Sequence, residues 1–307
     1  MPFSYLRVPI NSFLLKVAIF GISIPTDGST YVQHLLNVLS AANVAYSLYL
    51  PLVTVLKEQN ISFTAIDVFE NEEDLYLKNP DFLICLGGDG TILEASTLTA
   101  GTGIPVMGIN LGRLGFLSNV SRNDIDLAIS MLCQGRFTVS ERSMLSLRNS
   151  SSPLGADFLA LNEVTVSRKD SASMITIHAW IDDQFLASYW ADGLIISTPT
   201  GSTGYNLSCG GPIVSPASGV MIITPIAPHN LNVRPVVISD SSQIRLQIEA
   251  REKYFLVATD SKTQNIECGK DLLIQKAKVT FSLVQLEGYP YYKILREKLY
   301  WGADKRN

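Results

Sequence analysis

The chain has 307 residues, a formal net charge of −4 at pH 7 and a sequence pI near 5.5. Its length exceeds the size at which one hydrophobic core usually keeps growing, so we expect two domains. The acidic balance argues against a nucleic-acid partner, and the lack of an uninterrupted apolar segment of roughly 18 residues argues against a membrane partner. Four widely separated cysteines without a Cys-x-x-Cys pair favour a reducing, cytoplasmic location.

The first part of the chain alternates short apolar runs with helical stretches. The pattern predicts strands at residues 17–20, 46–50, 63–69, 82–86 and 104–109, and helices at residues 29–42, 52–57 and 92–100. Strands separated by helices pair in parallel and bind ligands beyond their carboxyl ends. We therefore assign residues 1–136 to a Rossmann-like parallel α/β domain. Residues 1–15 carry no usable motif. Two interpretations of this segment remain: a disordered segment or an alternative start.

The second part of the chain reads as closely spaced strands with polar turns. One hairpin is predicted from residues 175–181 and 185–190, and another from residues 243–248 and 254–258. Repeated short strands of this kind favour a β-sandwich, which we assign to residues 137–285. The amphipathic, aromatic segment 291–301 predicts that the tail, residues 286–307, packs back on the N-terminal domain.

The most informative motif is Gly-Gly-Asp-Gly-Thr at residues 87–91, between a predicted strand and a predicted helix. Glycines allow backbone N–H groups to approach an anion, and the start of the helix directs partial positive charge at the same point. A carboxylate in such a phosphate site would repel the phosphate. Its presence is understandable if Asp89 holds Mg²⁺ or accepts a proton from a hydroxyl that is about to be phosphorylated. A plain helix cap is the alternative interpretation of Asp89.

Further segments near predicted strand ends add polar groups. Residues 108–117 are rich in glycine, which indicates either close approach to a ligand or an ordinary tight loop. Asn162 and Glu163 offer an amide and a carboxylate that suit the hydroxyls or ring nitrogens of a nucleoside, although surface strand residues would look the same.

The longest cluster of hydroxyl residues and glycines follows an apolar run and covers residues 192–213. The ring of Tyr205 can pack beside an adenine while Thr203 and Ser208 donate hydrogen bonds; a structural Ser/Thr turn is the alternative. The sequence has neither a Walker A motif nor a Gly-x-Gly-x-x-Gly fingerprint, which argues against a P-loop and against the usual hydride-transfer cofactor site.

Taken together, these segments resemble the NAD kinases, which transfer the γ-phosphate of ATP to the 2′-hydroxyl of the adenosine ribose of NAD. The resemblance rests on motifs spread over most of the chain from residue 16 onward: residues 87–91, Asn110, 114–117, 162–163, 192–205, 224–229, 295–299 and 301–302. The glycine turn alone also occurs in lipid kinases and phosphofructokinases. The pair Asn-Glu followed by Asp-Gly and Thr-Pro-Thr-Gly-Ser-Thr is far more particular.

The resemblance implies a role for each matching residue. Asp89 would accept the proton and Gly90 would contact phosphates, while Phe116 would stack on the nucleotide. Asn162 and Glu163 would hold the adenosine ribose, and Asp192 would reach the nicotinamide half. The remaining pocket residues would be Thr203, Gly204, Tyr205, Asn206, Leu207 and Ser208.

The resemblance also implies the other components of the reaction. ATP and NAD would be the substrates, Mg²⁺ or another divalent metal would be carried in with ATP without a dedicated protein site, and the protein would be a homodimer or homotetramer. A lipid kinase that shares the glycine turn and a non-catalytic NAD-binding regulatory protein are the alternatives. The chain departs from the family pattern at Asp260-Ser-Lys, where many members have Asp-Gly-Gln, and at Gly204, where alanine is frequent.

Overall fold

The computed structural model describes residues 15–64, 67–149, 158–169 and 173–301. Within these ranges the chain forms two compact units. The first unit extends to Glu141 and resumes at Phe281, and the second is Arg142–Thr280. Residues 1–14 and 302–307, which include parts of the unassigned start and of the predicted tail, lie outside the described residues.

Strands outnumber helices in the described part of the chain. In chain order the strands are β1 (Lys16–Phe20), β2 (Ala45–Tyr49), β3 (Asp67–Phe69), β4 (Phe82–Leu86), β5 (Val106–Asn110), β6 (Val120–Ser121), β7 (Phe137–Asn149), β8 (Phe158–Ala160), β9 (Glu163–Ser167), β10 (Ile175–Ile181), β11 (Gln184–Ala191), β12 (Gly193–Ser197), β13 (Val220–Ile226), β14 (Val236–Ser239), β15 (Ile244–Glu249), β16 (Tyr254–Thr259), β17 (Lys262–Glu267) and β18 (Leu272–Leu286). The helices are α1 (Ser29–Ala41), α2 (Leu50–Glu58), α3 (Glu72–Lys78), α4 (Asp89–Thr99), α5 (Ile125–Cys133), α6 (Tyr205–Ser208) and α7 (Tyr291–Leu299).

The first unit is built on a parallel sheet with the strand order β18-β5-β4-β1-β2-β3, and β6 lies beside β5. This is the Rossmann-like order, so the predicted fold class of this part is confirmed. The order reverses between β1 and β4, and a crevice for a ligand forms outside the carboxyl ends of the strands at such a point. The glycine turn at residues 87–88 follows β4 at this end of the sheet.

Burial explains why these residues form a parallel sheet with helices packed on it. All residues of β4 and β5 are buried, as expected for strands covered on both faces. Helix α1 buries Val32, Leu35, Leu36 and Leu39, which share one face at helical spacing, against the same core.

Several predicted elements of the first unit differ from the structure. Helices α3 and α5 were not predicted, although Asn71 is a clear N-cap whose side chain accepts a hydrogen bond from the Asp74 N–H at 2.9 Å. Strand β3 begins at Asp67, so the predicted strand 63–69 was too long. Helix α4 begins at Asp89, before its predicted start at residue 92.

The second unit contains two antiparallel arrangements of strands. One has the order β11-β10-β15-β18, and the other has the order β14-β13-β12-β9-β16-β17. Apolar side chains of both, such as Ile177, Leu246, Val164 and Phe255, form one core. This confirms the predicted β-sandwich.

The two predicted hairpins have different outcomes. Strands β10 and β11 pair around Asp182 and Asp183, which both have positive φ, so the first hairpin is confirmed. The second is wrong, because β15 pairs with β10 and β18 whereas β16 pairs with β9 and β17 in the other sheet. Both strands direct apolar residues into the same core, so their alternation pattern does not distinguish a hairpin from a crossover between sheets.

Candidate functional site

The carboxylate of Asp89 is bound by three successive backbone N–H groups. Oδ2 accepts a hydrogen bond from Phe116 N at 2.8 Å, and Oδ1 accepts from Leu117 N at 3.0 Å and Ser118 N at 2.9 Å. The side chain therefore holds a distant loop, and the helix-cap interpretation of Asp89 is wrong. A carboxylate has about four acceptor positions, so one position on Oδ2 remains for a further donor.

The loop that Asp89 holds is fixed at both ends. Ser118 Oγ donates to the Gly87 carbonyl at 2.7 Å, and Gly115 N donates to the Ser118 carbonyl at 2.8 Å. A Cβ atom on Gly115 would lie 1.8 Å from Asp89 Oδ1. The absence of a side chain at residue 115 thus makes the contact with the aspartate possible, a requirement that the glycine-rich run did not specify by itself.

Gly90 and Phe116 lie beside this carboxylate on opposite segments of the chain. Gly90 is exposed in the first turn of α4, where a Cβ atom would meet nothing within 4 Å. Exposed N–H groups at the start of an α-helix form a natural anion site. Phe116 is half-buried, and Lys298 Nζ lies 5.8 Å from the centroid of its ring.

In the second unit, Asp260 binds the Asn162–Glu163 turn in the same way. Its carboxylate accepts hydrogen bonds from Leu161 N at 2.7 Å, Asn162 N at 2.8 Å and Glu163 N at 3.1 Å. Asp260 N donates to the Glu163 carbonyl at 3.0 Å. The sequence indicated Asp260 only as the start of an altered motif, and its positioning role was missed.

The side chains of Asn162 and Glu163 present polar atoms that need partners. Asn162 Oδ1 and Glu163 Oε2 are buried and lack a hydrogen-bond partner within the part of the chain that the structure describes. Burial and, secondarily, the charge of Asp260 raise the pKa of Glu163 to about 8. Near neutral pH this side chain is therefore mostly protonated and can donate a hydrogen bond. A Cβ atom on Gly204 would lie 3.2 Å from Glu163 Oε2, so glycine keeps this approach open.

The predicted residue Asp192 forms a two-pronged ion pair with Arg168. Arg168 Nε lies 3.0 Å from Asp192 Oδ1, and Arg168 Nη2 donates to Oδ2 at 3.1 Å. Both side chains are about one-third exposed, at 29% and 31%. Arg168 was not among the predicted residues, because an isolated arginine at the end of a strand carries no signal in the sequence.

The predicted pocket residues 203–208 differ in exposure. Tyr205 and Ser208 are exposed, Leu207 and Gly204 are half-buried, and half-buried Thr203 donates to the Thr200 carbonyl at 3.4 Å. Asn206 is fully buried instead.

The amide of Asn206 is engaged within its own loop. Its Nδ2 donates to the carbonyls of Ser202 and Pro212, both at 3.1 Å, and its Oδ1 accepts from Thr224 Oγ1 at 2.6 Å. These contacts link the two ends of the loop to strand β13. Its polar atoms are thus committed to the protein, unlike those of Asn162.

Side chains that could bind a metal are scattered in the part of the chain that the structure describes. Within the described ranges, no three His, Cys, Asp or Glu side chains come together in a way that could hold a metal ion. Over the same ranges, none of the helices combines the length and apolar character needed to span a membrane.

Comparison with known proteins identifies both halves of the chain. Residues 40–137 match the family profile described as the ATP-NAD kinase N-terminal domain, and residues 161–286 match the ATP-NAD kinase C-terminal domain. An NAD kinase of Cytophaga hutchinsonii is 43% identical over 94% of this chain and 99% of the relative. An NAD kinase of Bacteroides fragilis is 40% identical over 95% of this chain and 100% of the relative.

Solved structures show the same fold. A yeast NADH kinase complexed with NADH has a TM-score of 0.83 at 24% identity, over 95% of this chain and 89% of the other. An NAD kinase from Archaeoglobus fulgidus in complex with ATP has a TM-score of 0.72 at 26% identity, over 93% of this chain and 99% of the other.

Replacing Gly115 with alanine tests the packing of the loop on Asp89. The added methyl group displaces the carboxylate from its N–H donors, so we expect a loss of about 1–3 kcal/mol of stability, the usual cost of overpacking. Thermal unfolding measures the change. Gly112→Ala is the matched control in the same loop, because its Cβ atom would lie 3.8 Å from the nearest neighbouring atom. Equal unfolding temperatures for the two variants would contradict the contact.

Replacing Glu163 with glutamine tests the raised pKa. In the wild type, the unfolded chain releases this proton near its ordinary pKa while the folded protein retains it up to about pH 8. The wild type therefore loses stability relative to Glu163→Gln as the pH rises between these values, and the difference then levels off. We expect the smallest difference in unfolding temperature near pH 4, and at pH 8 the wild type should have fallen by several degrees relative to the variant. The exposed Glu94→Gln variant is the control. A difference in unfolding temperature between the wild type and Glu163→Gln that stays constant across this pH range would refute the raised pKa.

Proposed function

The chain belongs to the NAD kinase family, enzymes that phosphorylate NAD to NADP with ATP, and we propose that Asp89 accepts the proton of the reacting hydroxyl. Support comes from the carboxylate itself, which three N–H groups hold in place while one position on Oδ2 stays available. A base held before the substrate arrives does not have to be reoriented during the reaction.

The proposed step is an in-line displacement at the γ-phosphorus of ATP. The 2′-hydroxyl oxygen of the adenosine ribose forms a bond to that phosphorus while the bond to the β–γ bridging oxygen breaks. The hydroxyl proton passes to Asp89, and ADP and NADP are the products. Because such transition states need little covalent help, positioning and neutralisation of charge supply most of the acceleration.

Gly90 and the first turn of α4 are proposed to bind phosphate oxygens. The open space around Gly90 and the N–H groups at the start of the helix support this role. Mg²⁺ fits the proposal only as a companion of ATP, because the described residues contain no cluster of ligands and most of the acceptor capacity of Asp89 is in use. When bound, the ion would neutralise charge on the transferred phosphate.

Residues of the second unit are proposed to bind NAD. Asn162 Oδ1 has no hydrogen-bond partner among the described residues, and Glu163 is mostly protonated near neutral pH. Both suit the hydroxyls of the adenosine ribose, which can donate and accept hydrogen bonds. Asp192 is proposed to reach the nicotinamide half, with Arg168 fixing the orientation of its carboxylate.

The nucleobase is proposed to lie against aromatic and small side chains. Tyr205 would stack on it from the segment 203–208. The side chain is 45% exposed, so its ring is accessible for this contact. Phe116 keeps its proposed stacking role. We now propose that Asn206 supports this segment from inside, since its amide is fully engaged.

The wider assignments also stand as proposals. Residues 1–136 would carry the phosphate turn, residues 137–285 would bind NAD, and residues 286–307 would pack back on the N-terminal domain. The division of the chain at Glu141 and Phe281 supports this arrangement. A homodimer or homotetramer in the cytoplasm completes the proposal.

Asp89→Asn tests the proton acceptor. Asparagine keeps an oxygen for two of the N–H groups but is a far weaker base, so we expect a fall in kcat of about 10²- to 10⁴-fold while NAD still binds. Steady-state formation of NADP and equilibrium binding of NAD measure the two effects separately.

Asp81→Asn is the matched control for this experiment. Asp81 precedes β4 and accepts a hydrogen bond from Lys16 N at 2.8 Å at the other end of the strand. It should keep near wild-type kcat. If the Asp89→Asn enzyme also keeps the wild-type rate, Asp89 is not the proton acceptor.

A further inference from the structure

We propose that Lys298 is a positioning residue for the reaction and that it holds the loop that keeps Asp89 in place. The inference rests on the proposed function, since its effect on rate depends on the role of Asp89. Lys298 lies in the last turn of α7, far in sequence from the loop. It belongs to the segment 295–299 that contributes to the resemblance, but the resemblance assigns this lysine no role.

The side chain of Lys298 makes two contacts with the loop. Nζ donates a hydrogen bond to the Leu114 carbonyl, and the ammonium group lies 5.8 Å from the centroid of the Phe116 ring. The contacted residues are neighbours of Gly115, which packs on the Asp89 carboxylate. The half-buried ammonium group of Lys298 thus contacts the residues on either side of Gly115.

Among the described residues, the side chain of Leu114 is only loosely packed on this side of the loop. Leu114 is 38% exposed, and a cavity of about 510 Å³ is lined by Leu114 and Gly115 together with residues of α7. Packing therefore contributes little to holding residue 114, whereas a hydrogen bond from a charged donor is among the stronger restraints available to a partly exposed carbonyl. Helix α7 is in turn anchored by its buried residues Ile294 and Leu295.

These contacts form a short physical chain to the reacting group. Lys298 holds Leu114, and the loop then turns at Gly115 so that the N–H groups of residues 116–118 converge on Asp89. Loss of the ammonium group should let residues 114–118 move and release the carboxylate part of the time. The expected result is a lower kcat with a smaller change in the KM for NAD.

Lys298→Met removes the charge and the donor but keeps an unbranched apolar side chain. We expect amide hydrogen exchange in residues 114–118 to speed up by about tenfold, and kcat to fall by a similar factor, while the unfolding temperature falls by no more than a few degrees. Lys298→Arg keeps a cation that can donate to the Leu114 carbonyl, so it should restore both measurements to within about twofold of the wild type.

Lys293→Met is the matched control on the same helix. Lys293 lines the same cavity, but its Nζ contacts the Gly288 carbonyl at 3.4 Å and the ring of Tyr289 instead of the loop. It should leave exchange in residues 114–118 and kcat unchanged.

Two results would overturn the inference. Unchanged exchange in residues 114–118 of Lys298→Met means that the lysine does not hold the loop, and faster exchange with unchanged kcat means that holding the loop does not serve the reaction. Failure of the proposed role of Asp89 is recognised separately, because Asp89→Asn would then keep its rate whatever the Lys298 variants do.

Discussion

The structure depends on a carboxylate that gathers three successive backbone N–H groups. Asp89 does this for residues 116–118 and Asp260 does it for residues 161–163. Successive N–H groups of an extended chain point in alternating directions, so each of these segments must curve tightly to aim all three at one acceptor group. The two aspartates thereby impose the shape of the two segments that carry the proposed chemistry, before any substrate is bound.

This arrangement has an electrostatic consequence in the second unit. Asp260 must lie close to Glu163 to bind its N–H group, and its charge adds to burial in raising the pKa of that side chain to about 8. Burial of Glu163 and, to a smaller extent, the aspartate that orders the turn thus supply a neutral carboxylic acid near physiological pH. A neutral acid can both donate and accept hydrogen bonds, as a sugar hydroxyl does, so the aspartate that positions the turn also reinforces the protonation that burial favours.

The sequence predicted the architecture well because its signals are local. Apolar strands separated by helices, and later closely spaced strands, are visible within windows of about ten residues. The crossover between β15 and β16 was missed because the short, mostly charged segment 250–253 suits a hairpin equally well. Asp260 was missed as a positioning residue because its partner Asn162 lies 98 positions away. Lys298 and Arg168 act through contacts of the same long-range kind, which no pattern of neighbouring residues encodes.

The glycines of the motifs serve two different purposes, which composition alone does not separate. At residues 115 and 201 an added Cβ atom would lie 1.8 Å from Asp89 Oδ1 and 2.2 Å from the Asn162 carbonyl oxygen, so these glycines let the protein pack on itself. At Gly90 a Cβ atom would meet nothing within 4 Å, so packing does not require the small residue, and the proposed approach of a phosphate gives a reason for it. Substitution by alanine should accordingly reduce stability at the first kind of position. At the second kind it should weaken phosphate binding, which distinguishes a structural glycine from a ligand-contacting one.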